Sequence, residues 1–226
     1  MIADAPLWLL VLFAATTLLT GVLFYRSRPK HGIFILISIA WLALQGIVSY
    51  SGFYTVTDRF PPRFFLLVFP PLLFFVALFI LPKGRAYIDS LDLKAIHWVH
   101  TVRIPVEICL LYIYYAGLIP ELMTFEGRNF DILAGITAPL MIYLYFHRKS
   151  VGRKVMIAWN IISILLLVNI VVHAILSAPF PFQKLAFDQP NIGVFYFPFT
   201  WLPAYVVSLV FFSHFISLRQ LLKKNQ

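Results

Sequence analysis

The chain has 226 residues, of which 61% are apolar, 17% are aromatic and only 12% are charged. Because a soluble domain carries about 25% charged residues, this composition excludes a water-soluble domain and predicts an integral, multi-pass membrane protein. A net charge of +9 is also typical of nucleic-acid binding. Here the basic residues flank the apolar stretches, so we expect the lipid bilayer, and no nucleic acid, as a partner.

A membrane-spanning helix needs about 20 mainly apolar residues, and seven stretches of the sequence meet this requirement. They are residues 5–25, 33–53, 64–81, 93–118, 130–146, 155–176 and 199–218. Only short connections remain between them. The sequence therefore predicts an all-α protein, with residues 1–226 forming a single transmembrane domain built as a seven-helix bundle.

Proline residues interrupt several of these spans. Pro70 and Pro71 lie in the third span, which has no ionisable side chain, and predict a kink or a local loosening of that helix. Pro105, Pro139 and Pro203 lie in the fourth, fifth and seventh spans. Helices that break inside the membrane often carry a transporter's binding site, although membrane helices also tolerate proline for purely structural reasons.

The distribution of basic residues predicts the orientation of the bundle. With the N-terminus outside, thirteen basic residues, Lys30 and Lys224 among them, fall in inner segments. Only four fall in outer segments, namely Arg59, Arg63, Arg128 and Lys184. Because short cytoplasmic loops are enriched in Lys and Arg, we expect an external N-terminus and a cytoplasmic C-terminus, in a membrane such as the inner membrane of a bacterium.

The fourth span carries a polar stripe among its apolar residues. Successive helical residues rotate by about 100°, which places His100, Arg103, Glu107 and Tyr114 on one face, with His97 at its margin. Arg103 and Glu107 are four residues apart and are predicted to pair. Because an unpaired charge in mid-bilayer costs at least about 2.5 to 3.5 kcal/mol, we expect this stripe to face the bundle interior.

Three functions are open for this stripe. The Arg103 and Glu107 side chains could form a structural pair that holds the fourth helix to its neighbours. They could instead belong to a proton or ion relay. In such a relay His97 and His100 would take up protons or ions from the cytoplasmic side, and Glu107 and Glu121 would pass them outward. Alternatively, Arg103 could bind an anionic group of a ligand with both of its terminal nitrogens.

Polar side chains on other spans could contribute to the same interior. Gln45 lies on one face of the second span, Asn169 and His173 are four apart on the sixth, and Tyr205 lies on the seventh. Each alone is typical of hydrogen bonding between membrane helices. Together they predict a bundle with a polar core and add candidate ligand-binding residues.

No cofactor is favoured by the sequence, but two sets of residues are candidates for one. Histidines at similar depth on facing helices can bind a haem iron, and the candidates at the inner side are His97, His100 and His214. Carboxylates with a histidine can hold a divalent metal, and the candidates at the outer side are Glu121, Glu126, Asp131 and His173. The competing interpretation of this outer loop is structural, with Asn129 or Asp131 at the start of the fifth helix and Glu126 beside Arg128.

The sequence thus favours a polar intramembrane site that binds a small solute or ion for transport or sensing. The alternatives are a membrane-embedded enzyme, either a metal-dependent hydrolase or a haem-binding oxidoreductase, and a structural membrane subunit without a ligand. A retinal protein needs a lysine in its last span, and residues 199–218 contain none. The single cysteine, Cys109, excludes a disulfide within the chain.

Overall fold

The structure, a computed structural model, describes residues 5–28 and 32–223, and within these ranges it contains helices and no strands. The α-helices in chain order are α1 (Leu7–Tyr25), α2 (Gly32–Tyr50), α3 (Phe65–Ile80), α4 (Pro82–Asp89), α5 (Leu93–Trp98), α6 (Arg103–Tyr115), α7 (Ile132–Ile142), α8 (Arg153–Leu176) and α9 (Val207–Lys223). The all-helical prediction is confirmed for this part of the chain. Lys30 and Lys224, which the orientation argument used, lie outside it.

Five of the described helical stretches are long and apolar enough to cross a membrane, which is compatible with a multi-pass membrane protein. They are Leu7–Tyr25, Gly32–Tyr50, Leu93–Tyr115, Arg153–Leu176 and Leu202–Lys223. A sixth is added if α3 and α4 count as one broken span, and the remaining apolar stretch, Ile132–His147, is shorter. The predicted third and fifth spans are therefore the two that are not each matched by one helical stretch long enough to cross a membrane.

Three of the predicted proline interruptions coincide with changes of helix type. A 3₁₀ turn (Val99–Val102) precedes Pro105, a π-helical turn (Tyr143–His147) follows Pro139, and another π-helical turn contains Pro203. Proline has no N–H to donate to the preceding turn, so the helix changes its hydrogen-bonding pattern nearby. These positions remain within continuous helical paths.

The chain bends most sharply after α3. The α3 helix continues through Pro70 and Pro71, and the break comes at Leu81, where α4 turns by 91° relative to α3. A Cβ added at Gly84 would lie 2.4 Å from the carbonyl oxygen of Leu78, so only glycine allows the start of α4 to approach the end of α3 this closely.

The centre of the fold is the path formed by α5, the 3₁₀ turn and α6. This path packs against α1, α7 and α9, and α8 also packs against α9. The α3 helix contacts α9 and the π-helical turn that precedes it. The largest buried apolar cluster includes side chains of α1, α5, α6 and α9. A polar side chain on the inner face of α6 is therefore enclosed by other helices.

Charged side chains fasten α4 to the end of α9. Arg219 donates hydrogen bonds of 2.8 and 3.0 Å to the two carboxylate oxygens of Asp89, and Lys223 also pairs with Asp89. The hydrogen bonds from Arg219, followed by those from Lys223, hold the pKa of Asp89 below its ordinary value. A carboxylate with a lowered folded-state pKa contributes stability above its unfolded pKa, and this contribution is lost as the pH falls through the folded pKa.

We therefore expect the stability difference between the wild type and Asp89→Asn to be present at pH 7 and to shrink as the pH falls below about 4. The measurement is the midpoint of thermal unfolding in detergent across this pH range. Asp58→Asn serves as the control because Asp58 is exposed. A difference between the wild type and Asp89→Asn that does not change with pH would contradict an ionic contact.

Candidate functional site

The guanidinium group of Arg103 is buried inside the protein, with 2% of the residue exposed. One terminal nitrogen donates to Oδ1 of Asp131 at 3.0 Å and to the backbone oxygen of Ser163 at 3.3 Å, and the other donates to Nε2 of His214 at 2.7 Å. These acceptors belong to the start of α7, to α8 and to α9. Arg103 therefore connects α6 to three neighbouring elements.

The predicted pair between Arg103 and Glu107 is wrong, because Arg103 forms its salt bridge with Asp131. Glu107 is also buried, and both of its carboxylate oxygens accept from Nδ2 of Asn129 at 2.7 Å. The spacing of four residues allowed a local pair. The acidic partner that the structure supplies instead lies 28 residues further along the chain.

The loop before α7 positions both Asn129 and Asp131. The side-chain oxygen of Asn129 accepts from the backbone N–H of Asp131, the N-cap residue of α7, so Asn129 and Asp131 both lie at the start of this helix as predicted, although neither side chain caps it. A Cβ at Gly127 would lie 2.3 Å from the backbone oxygen of Glu121, so the tight path of this loop requires glycine. A contact between Glu126 and Arg128 was predicted, but Glu126 instead accepts a hydrogen bond from the hydroxyl of Tyr115.

A chain of hydrogen bonds continues from Arg103 to the beginning of α5. His214 Nδ1 lies 2.8 Å from Oδ1 of Asn160, and Nδ2 of Asn160 lies 3.3 Å from Nε2 of His97. His97 Nδ1 in turn lies 2.7 Å from the backbone oxygen of Leu93. Asn160 also donates to the backbone oxygen of Met156, which fixes the orientation of its amide.

The donors and acceptors at the two ends of this chain determine where the histidine protons lie. An arginine can only donate and a carbonyl oxygen can only accept, so His214 accepts at Nε2 and carries its proton on Nδ1. By the same argument, His97 donates from Nδ1 to Leu93 and accepts from Asn160 at Nε2. Both imidazoles are therefore neutral in this arrangement.

His100 is packed beside this chain without belonging to it. Its ring stacks on that of His214 with centroids 3.8 Å apart and lies next to Trp159. Neither ring nitrogen of His100 has a hydrogen-bond partner among the residues that the structure describes, and the same is true of Nε of Arg103. We refer to the following side chains together as the buried polar cluster: His97, His100, Arg103, Glu107, Asn129, Asp131, Asn160 and His214.

This geometry does not fit the predicted haem ligands. Both nitrogens of His97 and both nitrogens of His214 are used in hydrogen bonds, and the face-to-face stacking of His100 on His214 leaves no room for an iron between the two rings. The residues present therefore do not form a bis-histidine haem site in this conformation.

The candidate metal ligands of the outer loop do not converge either. Asp131 turns inward to Arg103, Glu126 pairs with Tyr115, and His173 contacts the backbone oxygen of Asn169. Glu121 is exposed. Among the described residues, no group of three or more His, Cys, Asp or Glu side chains has the arrangement of a metal site.

The other predicted site residues lie apart from the buried polar cluster. Gln45 accepts from the hydroxyl of Tyr54, and the hydroxyl of Tyr205 lies beside Gly21. Asn169 donates to the backbone oxygen of Arg128 at 2.8 Å, and Tyr114 is half-buried. The predicted polar core therefore consists of separate sets of hydrogen bonds, and only His97, His100, Arg103, Glu107 and His214 come together with Asp131.

The sequence argument missed the roles of Asn160 and Asn129. Asn160 lies within an apolar span, and a polar residue at such a position is a signal of functional or structural importance. Asn129 was predicted only as a helix cap, whereas its amide nitrogen also binds Glu107. A single asparagine can contact both Asp131 and Glu107 because its amide carries one acceptor and two donors.

A cavity of about 650 Å³ borders the buried polar cluster. It lies between α3, α8 and α9, and α6 contributes Val106, Glu107 and Leu110 to its wall. Nearly all of its lining side chains are apolar; those that are not are Glu107, Asp131, Asn191 and Ser208. Arg103 does not line the cavity, so the prediction that its guanidinium group binds a ligand directly does not fit this arrangement.

Residues 61–222 match the family model described as a domain of unknown function (DUF8737). Because the match covers more than half of the chain, the chain belongs to this family. The matched region contains every residue of the buried polar cluster. No curated protein and no solved structure matches the chain.

The contacts of Arg103 predict that Asp131→Asn destabilises the protein by about 3–5 kcal/mol, because it leaves the buried guanidinium without its carboxylate. The midpoint of thermal unfolding in detergent measures this effect. Asp188→Asn is the matched control, since Asp188 is exposed in the loop before the last helix. Equal effects of the two substitutions would show that Asp131 does not stabilise Arg103.

Proposed function

We propose that the protein crosses the membrane seven times and binds a small solute or ion inside its helical bundle, for transport or sensing. The observation that carries this proposal is the position of Glu107 and Asp131, which are buried in the polar cluster and at the same time line a cavity. A purely structural ion pair has no need of a cavity. Binding of a ligand beside the two carboxylates would give that cavity a use.

The seven-span topology is supported by the alternation of basic residues along the chain. If α3 and α7 each cross the bilayer, thirteen basic residues face one side and four face the other, in agreement with the enrichment of Lys and Arg in cytoplasmic loops. The charges of α4, namely Lys83, Arg85 and Asp89, would then lie at the cytoplasmic surface. The 91° bend after α3 would turn α4 from the membrane interior into that surface.

This topology predicts that a reporter fused after Gln226 is cytoplasmic and one fused before Met1 is external. Cysteines introduced on a Cys109→Ala background refine the test. Asp188→Cys should react with a membrane-impermeant maleimide from outside, whereas Gly152→Cys should react only after the membrane is permeabilised. If α3 and α4 instead re-enter the same side, the two termini would lie on one side of the membrane, which would contradict seven spans.

The binding function is tested with the protein purified in detergent and reconstituted in vesicles. The probes are sodium, methylammonium, acetate and phosphate ions, scored by the shift in thermal unfolding, and an imposed proton gradient, scored by a dye inside the vesicles. We expect at least one probe to act on the wild type, with about 1.4 kcal/mol of stabilisation at a concentration tenfold above its Kd.

The same response should disappear in the double variant Arg103→Met and Asp131→Leu. This variant should still fold, because replacing both members of a buried ion pair with apolar residues is often neutral or stabilising. The matched control is Arg219→Met with Asp89→Leu, which removes the surface pair of the same composition and should retain the response. A response that survives in the first double variant would place the site elsewhere, and no response to any probe would indicate a structural subunit.

A further inference from the structure

The cavity beside the buried polar cluster has an open side at the apolar surface of the protein. Leu72 and Val76 of α3 and Phe215 of α9 line the cavity, and each of these residues is between 43% and 48% exposed. In a membrane, this surface faces hydrocarbon chains. The cavity is therefore reached sideways between helices, through apolar side chains.

The polar groups that line the cavity include several acceptors and no basic side chain. Asn191 is buried and its Nδ2 donates to the backbone oxygen of Ala174, while its Oδ1 has no partner. The hydroxyl of Ser208 donates to the backbone oxygen of Pro203. Glu107 and Asp131 contribute carboxylates, and none of the described lining residues is basic.

The charges of the buried polar cluster also favour the binding of a cation. Asp131 is matched to Arg103, and His97 and His214 are neutral by their hydrogen bonds. Among the described residues, Glu107 accepts hydrogen bonds only from the amide of Asn129. Because Arg103 is the single cation of the cluster, ionisation of both Glu107 and Asp131 leaves one negative charge in excess, in an apolar region where such a charge is costly unless a cation neutralises it.

We propose that the cavity binds a single-chain amphiphile with an ammonium head group, whose hydrocarbon chain lies among the apolar side chains of α3, α8 and α9 and whose head group lies at Glu107 and Asp131. This inference rests on the proposed binding function and specifies the class of ligand. The shape of the cavity accounts for the chain. The two carboxylates in the polar wall, with no basic side chain among the described lining residues, account for the positive charge of the head group.

The contribution of the chain is tested by comparing hexylammonium with methylammonium. The transfer free energy of a methylene group corresponds to about a fourfold gain in affinity for each methylene that leaves water. With five additional methylenes, we expect hexylammonium to bind at least tenfold more tightly, measured as the concentration that gives a fixed shift in thermal unfolding. Partition of the probe into detergent is the same for every variant of the protein.

Variants of α8 show whether this gain comes from the cavity. Val171→Trp and Ala174→Phe place bulk at the cavity wall and should reduce the gain to less than threefold. Val172→Trp is the matched control, because the neighbouring Val172 is 44% exposed and does not line the cavity. Two separate wall variants keep the test valid if one of them fails to fold.

The charge of the head group is tested with hexanol and hexanoate, which share the six-carbon chain. We expect Glu107→Gln to weaken the binding of hexylammonium at least tenfold and to leave the binding of hexanol unchanged. Glu121→Gln should change the binding of neither probe. If hexanol or hexanoate binds the wild type as tightly as hexylammonium does, the inference of a cationic head group is wrong.

The outcomes separate this inference from the proposed function. Suppose that the response to methylammonium or another small ion depends on the Arg103 and Asp131 pair and that hexylammonium binds no more tightly. The amphiphile is then the wrong class of ligand, and the proposed binding function stands. The same conclusion follows if the gain from the chain survives in both wall variants. If no probe of either series acts, the proposed function itself is wrong.

Discussion

A guanidinium group buried in an apolar bundle is the constraint on which this structure depends. Arginine remains charged and offers only donors, so the elements around Arg103 have to supply acceptors. Asp131 supplies one at the start of α7, Ser163 supplies a backbone oxygen on α8, and His214 supplies a ring nitrogen on α9. The fourth predicted span is therefore fixed to its neighbours by one side chain as well as by apolar packing.

This requirement extends beyond the direct contacts of Arg103. Because His214 has to accept at Nε2, its proton lies on Nδ1 and needs an acceptor, which is the oxygen of Asn160. The amide nitrogen of Asn160 then has to donate a hydrogen bond, which Nε2 of His97 accepts. The orientation of an asparagine on α8 and the proton positions of two histidines thus follow from the charge on α6. Substituting any member of this chain would leave a buried donor or acceptor without a partner, at a cost of about 1–3 kcal/mol.

The sequence was sufficient to predict features that depend on neighbouring residues. The helical stretches and the polar face of the fourth span follow from composition and from the helical period, and His100, Arg103 and Glu107 do lie inside the bundle. The partner of Arg103 could not be predicted in this way, because a spacing of four residues favours Glu107 while the packing of α6 against α7 brings Asp131 closer. The same reason explains why Gln45 and Tyr205, although buried, join other contacts. The two prolines predict a kink within the third span, whereas α3 continues through Pro70 and Pro71 and the break comes at Leu81, beside the close approach at Gly84.

Asp131 belongs both to the structural contacts of Arg103 and to the wall of the cavity, and through this double position a ligand bound in the cavity would affect helix packing. Transport and sensing both require two states with different affinities for the ligand. A cation bound at Asp131 would weaken the attraction between this carboxylate and Arg103, since both positive groups would compete for the same oxygens. Arg103 would then depend more on its acceptors in α8 and α9 than on α7. Occupancy of the cavity would thereby favour a state in which α7 is less tightly held to α6, so the residue that stabilises the bundle is also the one through which a ligand could change it.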